Sequence, residues 1–229
     1  MANERKYYDL VADLFLSKEL GCFDYKKEIG TTMGKVDVVG IKELSSDYKS
    51  NTELVSVEVK DENARFLNSI GQAFAYSVYT HRCYLAFNKS SKNKFKQEEI
   101  DIANQFGVGL IEIRNRKEIK VISLSRQFEP KPHYVYYFKS KLGYFNCVIC
   151  DGAYKEQDIA KINQPGPISI KDDETYLGNL DKAIKQRRNA LYYLYGLSQQ
   201  RRDERSYVYD KRYICKDCLS IFSPLVNMA

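Results

Sequence analysis

The chain reads Leu54-Val-Ser-Val-Glu-Val-Lys60 at one point and Val36-Asp-Val-Val-Gly-Ile41 a short distance upstream. Both runs are rich in β-branched residues, which is typical of strands in a packed sheet. The stretch between them, residues 45–52, is polar and prone to form turns. Together these features predict two strands joined as a hairpin with a long loop.

Helices and short strands are predicted to alternate around this hairpin. Apolar side chains three and four positions apart predict helices over residues 4–20, 68–79 and 96–106. Compact apolar runs predict strands over residues 83–87, 108–113 and 118–124. This order favours an α/β fold with a mixed central sheet flanked by helices.

The length and composition predict a folded protein of two parts. The chain has 229 residues, of which 44% are hydrophobic and 29% charged, so wholesale disorder is excluded. Pro130 and Pro132 interrupt the pattern, so we place a boundary there and expect one domain over residues 1–130 and a smaller module over residues 131–229. No apolar run reaches the length of about 18 residues that a membrane span needs, and residues 1–10 lack a signal-peptide core. We therefore expect a cytoplasmic protein with no membrane partner.

The positive charge is concentrated in the second part. The net charge is +6, with 20 Lys and Arg against 19 Asp and Glu in residues 1–130, and 16 against 11 in residues 131–229. A basic module attracts polyanions such as nucleic acids. An ordinary solvated surface with a modest positive bias is the alternative.

Three charged residues lie within the two apolar strands, namely Asp37, Glu58 and Lys60. Burying such groups is costly unless they are paired or bind a metal. Residues two apart on a strand share a face, so Glu58 and Lys60 point together. If the hairpin places Asp37 beside Glu58, the two carboxylates favour a hard divalent cation such as Mg²⁺ between them. A lone Glu-x-Lys also arises often by chance at strand edges.

These residues, in this order, resemble the PD-(D/E)XK nuclease superfamily, which has the restriction endonuclease-like fold, and in particular its Mrr-like and RecB-like branches. The matching motifs are Lys35-Val-Asp37, Glu58-Val-Lys60 and Gln72-Ala-Phe-Ala-Tyr76, followed by the strand Gly107-Val-Gly-Leu-Ile-Glu-Ile113. Val36 stands where the name-giving Pro would be. The resemblance covers residues 1 to about 125.

The resemblance implies a role for each matching residue. Asp37 and Glu58 would bind Mg²⁺ together with the backbone carbonyl of Val59, and Lys60 would orient or activate the attacking water and stabilise charge on the phosphate. Glu4 is a further candidate, because it precedes the apolar face of the first helix; the alternative is a helix-capping role. Gln72 is expected to contact the substrate or Lys60, or else to be a surface amide. Tyr76 is expected to pack in the core.

Four of the six cysteines form two pairs, Cys147-Val-Ile-Cys150 and Cys215-Lys-Asp-Cys218. Four thiolates supply the tetrahedral set that structural Zn²⁺ prefers. The 64 residues between the pairs are far more than a compact zinc ribbon contains. We predict structural zinc, with reduced thiols or a redox pair as the alternative.

A basic helix is predicted between the cysteine pairs, over residues 179–205. Its seven basic residues, set among tyrosines, suit contact with phosphates or an ordinary solvated helix face. The candidate DNA-binding residues are Lys182, Lys185, Arg187, Arg188, Arg201, Arg202 and Arg205.

The sequence therefore predicts a Mg²⁺-dependent endonuclease of the restriction or repair type that hydrolyses DNA phosphodiester bonds, with the zinc module aiding DNA binding. Endonuclease action is favoured because the chain shows no helicase domain, and the resemblance implies products with 5′-phosphate and 3′-hydroxyl ends. Cutting both strands needs two active sites, which is compatible with a homodimer. A non-catalytic nucleic-acid-binding zinc protein on a nuclease-like scaffold is the alternative. A thiol redox protein would need a thioredoxin-like strand before a cysteine pair, and neither pair has one.

Overall fold

The computed structural model describes residues 4–31, 34–44, 51–89, 94–114, 118–147, 152–161 and 213–216. These residues fall into two compact units, divided after Leu142. The first unit therefore continues past the boundary expected near residue 130. Within the described part of the chain, no helix is long and apolar enough to cross a membrane.

The first unit is built on a six-stranded sheet in which the strands follow one another in chain order. The strands are β1 (Asp24–Thr31), β2 (Gly34–Leu44), β3 (Asn51–Lys60), β4 (Arg82–Lys89), β5 (Gly109–Arg114) and β6 (Glu118–Ser123). Strands β3, β4 and β5 are parallel, and the remaining neighbours are antiparallel. The predicted α/β class and mixed central sheet are confirmed.

Helices cover both faces of the sheet. They are α1 (Tyr8–Leu16), α2 (Phe66–Ala75), α3 (Gln97–Phe106) and α4 (Pro132–Leu142), with short 3-10 turns at Arg5–Tyr7 and Tyr76–Val78. One buried cluster joins α1 to Val55, Val57 and Val59 of β3. A second cluster joins α2 and α3 to the opposite face of β4. Since successive strand residues face opposite sides, Glu58 and Lys60 lie on the face away from the valines.

Several boundaries differ from the sequence prediction. The first helix ends at Leu16 rather than at residue 20, because Ser17 leaves the helix and its hydroxyl donates to the carbonyl of Leu14, at 2.7 Å. The sequence does not predict strand β1, since the run Asp-Tyr-Lys-Lys-Glu-Ile-Gly-Thr carries charges where an apolar alternation is expected. Pro132, which the pattern identifies as a breaker, instead begins α4, at a position where its missing N–H is not needed.

The described part of the second unit consists of short strands. Strand β7 (Tyr144–Asn146) pairs with β8 (Ala153–Lys155), and β9 (Ile159–Lys161) pairs with β10 (Tyr213–Cys215). Cys147 follows β7 and Cys215 ends β10, and both cysteines are buried. The predicted basic helix, with all seven candidate DNA-binding residues, lies outside the described residues, as do Cys150 and Cys218.

Candidate active site

The hairpin of β2 and β3 brings the two predicted carboxylates together. The antiparallel register pairs Val38 with Val57, so the next position outward places Asp37 opposite Glu58. The backbone N–H of Val59 donates to Oδ2 of Asp37, with a nitrogen to oxygen distance of 2.8 Å. This bond fixes the Asp37 carboxylate against the end of β3. Val59 thus meets Asp37 through its N–H, whereas its predicted role as a metal ligand uses its carbonyl.

Lys60 lies within the same group. Its Nζ is 2.5 Å from Oε1 of Glu58 and 3.7 Å from Oε1 of Glu4. The structure therefore brings Glu4, the residue that precedes the 3-10 turn Arg5–Tyr7, to the residues at the end of β3. Glu58 is buried, with only 4% of its surface exposed, so the ion pair is largely shielded from water. Such shielding strengthens the interaction between the two charges.

Two tyrosine hydroxyls complete the hydrogen bonding of the carboxylates. The hydroxyl of Tyr8 donates to Oδ1 of Asp37, across 2.5 Å. The hydroxyl of Tyr76 donates to Oε2 of Glu58 and lies 3.1 Å from the carbonyl oxygen of Lys35. Core packing, the role expected of Tyr76, accounts for only part of its contacts. Its ring does pack beside the buried cluster of α2 and α3, but its hydroxyl contacts the site.

The charges of this group shift the pKa values of its members. Burial, followed by repulsion from Asp37, raises the pKa of Glu58 to about 7. Burial lowers the pKa of Lys60, but the hydrogen bond and charge of Glu58, with smaller contributions from Glu4 and Asp37, outweigh it and leave that pKa raised. Burial and then the neighbouring carboxylates raise the pKa of both Tyr8 and Tyr76 well above the ordinary value. At neutral pH, Lys60 is therefore a cation and both tyrosines are hydrogen-bond donors.

These residues line one cleft of about 1050 Å³. Asp37, Glu58 and Lys60 form part of its wall, together with Glu4 and the predicted Gln72 of α2. Five candidate residues from separate parts of the first unit therefore meet in a single concave space. A cleft that holds carboxylates and a half-buried ammonium, one carboxylate with a strongly raised pKa, is typical of a functional site.

Glu28 also lines the cleft, and the sequence does not indicate it. Strand β1 pairs Lys27 with Val38 and Ile29 with Val36, which places Glu28 opposite Asp37. Its backbone has a φ of 53°, in the left-handed region that a residue with a long side chain rarely adopts. Nothing in a strand of alternating charges distinguishes this residue until its position beside Asp37 is known.

The oxygen donors of the site fit Mg²⁺ better than a softer metal. Mg²⁺ in proteins is held by one or two carboxylates together with water and substrate phosphates. Asp37 and Glu58 supply such a pair, and each carboxylate oxygen keeps a second lone pair beyond the hydrogen bond described. The raised pKa of Glu58 reflects burial together with repulsion from the Asp37 carboxylate, and a cation held between the two carboxylates would relieve that repulsion. Among the described residues, however, no group of three or more His, Cys, Asp or Glu has an arrangement that could hold a metal ion.

No protein-family model matches this chain, and no curated protein matches it significantly. The relation to the PD-(D/E)XK superfamily therefore stays a prediction from the motifs.

Proposed function

We propose that the protein is a Mg²⁺-dependent endonuclease that hydrolyses DNA phosphodiester bonds, of the restriction or repair type. The proposal is carried by one observation, the meeting of Asp37, Glu58 and Lys60 in a single cleft. Two carboxylates and an ammonium are the residue types that metal-assisted phosphodiester hydrolysis requires. The order of the motifs along the chain also supports it.

Asp37 and Glu58 are the residues that would hold Mg²⁺ in this reaction. The chemistry that the ion supplies when bound is a lowered pKa for the attacking water and neutralisation of charge on the phosphate oxygens. The protein contributes the position of both carboxylates. The Val59 N–H and the Tyr8 hydroxyl hold Asp37 from two sides, and the Tyr76 hydroxyl holds Glu58. Such outer hydrogen bonds orient ligands and limit the rotation of their side chains.

Lys60 acts in this scheme as a fixed positive charge. Its pKa is raised, with attraction to Glu58 and Glu4 outweighing burial, so the ammonium does not serve as a general base near neutral pH. A protonated amine in a shielded cleft stabilises negative charge that develops on the phosphoryl oxygens and donates hydrogen bonds to an attacking water. Glu4 supports this role by holding the same ammonium from the side of α1.

The second unit is proposed to bind zinc and to aid DNA binding. Cys147 and Cys215 are both buried, and the strands next to them, β7 and β10, pack against each other. Each belongs to a Cys-x-x-Cys pair, and two such pairs supply the four thiolates that structural zinc takes. The basic segment between the pairs would contact DNA phosphates.

Nucleic-acid binding without hydrolysis is the second candidate. It is favoured by the direct ion pair between Lys60 and Glu58, because this pair occupies two of the groups that hydrolysis needs. The two functions are separated by incubating supercoiled plasmid with the purified protein in Mg²⁺ and, in parallel, in EDTA. The nuclease proposal expects nicked or linear DNA in Mg²⁺ alone. Unchanged plasmid in both, with DNA binding retained, would favour the second candidate.

A further inference from the structure

A cluster of opposite charges lies at the mouth of the cleft, separate from the residues assigned to hydrolysis. Nη2 of Arg5 is 2.7 Å from Oε1 of Glu28, and Nζ of Lys35 is 4.0 Å from Oε2 of the same carboxylate. All three residues line the cleft that contains Asp37. The side chains of Arg5 and Lys35 are 63% and 61% exposed, so a ligand can reach both from solvent.

The charge balance of the cleft gives this cluster a role in binding DNA. The acidic groups among its described lining residues are Glu4, Glu28, Asp37 and Glu58, and the basic ones are Arg5, Lys35 and Lys60. Lys60 is already engaged by Glu58 and Glu4. Arg5 and Lys35 are therefore the cations of this lining that a DNA strand entering the cleft can reach from solvent.

The backbone conformation of Glu28 differs from that of an ordinary strand residue. Its left-handed backbone, with a φ of 53°, interrupts the pairing of β1 at the position opposite Asp37. Strained backbone of this kind is typical of residues held in place for function. Its carboxylate lies between the two cations, where a phosphate group would otherwise be drawn.

We propose that Arg5 and Lys35 form a binding subsite for a DNA backbone phosphate next to the scissile one, and that the carboxylate of Glu28 occupies this subsite until DNA replaces it. The exchange is feasible because an exposed ion pair contributes little free energy. A phosphate binds the planar guanidinium of arginine with two parallel hydrogen bonds, as a carboxylate does. This inference rests on the proposed function, since it assumes that DNA enters the cleft.

The test measures DNA binding by the full-length protein in buffer without added Mg²⁺ and without chelator, so that no Mg²⁺-dependent cleavage occurs and the proposed zinc is kept. A short fluorescent DNA duplex is titrated with protein over a series of salt concentrations, and fluorescence anisotropy reports binding. The double variant Arg5→Gln/Lys35→Gln removes the subsite, and Glu28→Gln removes the competing charge. The matched controls are Lys18→Gln/Lys120→Gln and Glu118→Gln, which make the same changes of net charge at exposed positions outside the cleft.

The two variants are expected to change affinity in opposite directions. Arg5→Gln/Lys35→Gln should weaken binding and reduce the slope of log affinity against log salt by about 0.9 for each phosphate that the variant no longer neutralises. Glu28→Gln should tighten binding by roughly two- to fivefold, the range expected when one exposed ion pair no longer competes. Both effects should exceed those of the controls.

Two other results would overturn the inference in distinguishable ways. If the wild type binds DNA but Glu28→Gln binds no more tightly than Glu118→Gln, or the double variant equals its control, then Glu28 does not occupy a phosphate subsite, while the nuclease proposal stands. If the wild type shows no salt-dependent binding to DNA, the proposed function fails and the subsite fails with it.

Discussion

The hydroxyl of Tyr8 donates a hydrogen bond to Oδ1 of Asp37, so helix α1 is tied directly to the first half of strand β2. The other oxygen of Asp37 accepts from the backbone of Val59. The orientation of the carboxylate therefore depends on packing between a helix and a sheet, and not on β2 alone. A substitution on α1 that leaves both acidic residues in place should still alter the site.

Tyr8→Phe tests the positioning of Asp37. The variant keeps the ring but removes the donor, and the loss of such an outer hydrogen bond typically costs about 10- to 100-fold in metal affinity or activity. We expect kcat to fall and the Mg²⁺ concentration for half-maximal cleavage to rise, with KM for DNA unchanged. Tyr25→Phe is the matched control, because Tyr25 is half-buried outside the cleft lining. Equal Mg²⁺ dependence in the two variants would show that the hydroxyl does not position the site.

The raised pKa of Glu58 predicts that the free energy of unfolding depends on pH. Its folded pKa of about 7 lies above its ordinary value of 4.5, so the folded state retains a proton that the unfolded state releases between these values. The free energy of unfolding should therefore fall as pH rises through this window, by on the order of 3 kcal/mol from this group. The Glu58→Gln variant should not show this fall. In the wild type, Mg²⁺ should raise the free energy of unfolding again above about pH 7.

Urea unfolding at about pH 5 and about pH 8 measures this effect. Glu118→Gln, on the exposed side of β6, is the control and should keep the pH dependence of the wild type. An unchanged pH dependence in Glu58→Gln would show that Glu58 does not titrate in this window. A wild type unaffected by Mg²⁺ above pH 7 would contradict binding of the ion at this carboxylate.

The two Cys-x-x-Cys pairs predict that the purified protein contains one bound zinc ion. Cys147→Ser/Cys215→Ser should lose the single zinc ion that four thiolates would hold, because two ligands from opposite pairs are removed. Cys83→Ser should retain it, since Cys83 is a buried thiol of the first unit whose pKa burial raises to about 11. Metal analysis of the purified proteins by mass spectrometry is the measurement. Full zinc content in the double variant, or none in the wild type, would refute the zinc site.

Gly40→Ala tests the packing of α1 on the sheet. A Cβ at Gly40 would collide with the ring of Phe15 and come within 2.9 Å of Sγ of Cys22. Overpacking of this kind typically destabilises by about 1–3 kcal/mol. Gly71→Ala on α2 is the control, because an added Cβ there has open space and replacing a helical glycine stabilises by about 0.5–1 kcal/mol. Urea midpoints that move in the same direction would contradict this packing.

Residue patterns could predict the central hairpin and the helices that follow it. The valines of β3 alternate cleanly, and α3 has a periodic apolar face, so both elements are evident locally. Strand β1 is different, because its inward apolar residues, Tyr25 and Ile29, are separated by three charged residues, so no apolar alternation marks it as a strand. Helix α4 begins at a proline, which is equally consistent with an interruption or with a helix start.

The site was predictable where its residues share a strand or a hairpin. Glu58 and Lys60 point together because they are two apart, and the position of Asp37 follows from the register. The contributions of Tyr8, Tyr76 and Glu28 depend instead on contacts between elements distant in sequence. The motif that contains Tyr76 and the apolar helix face that contains Tyr8 give no sign that either hydroxyl reaches a carboxylate, so only the folded structure identifies these contacts.

The rate of plasmid cleavage in Mg²⁺ measures whether Asp37, Glu58 and Lys60 act together on a DNA phosphate. Asp37→Asn and Lys60→Ala should each lower the rate by at least about 100-fold while leaving folding and DNA affinity largely intact. Asp101→Asn and Lys18→Ala, at exposed positions outside the cleft, should cleave at the wild-type rate. Cleavage by purified Asp37→Asn and Lys60→Ala at the rate of these controls would contradict the account.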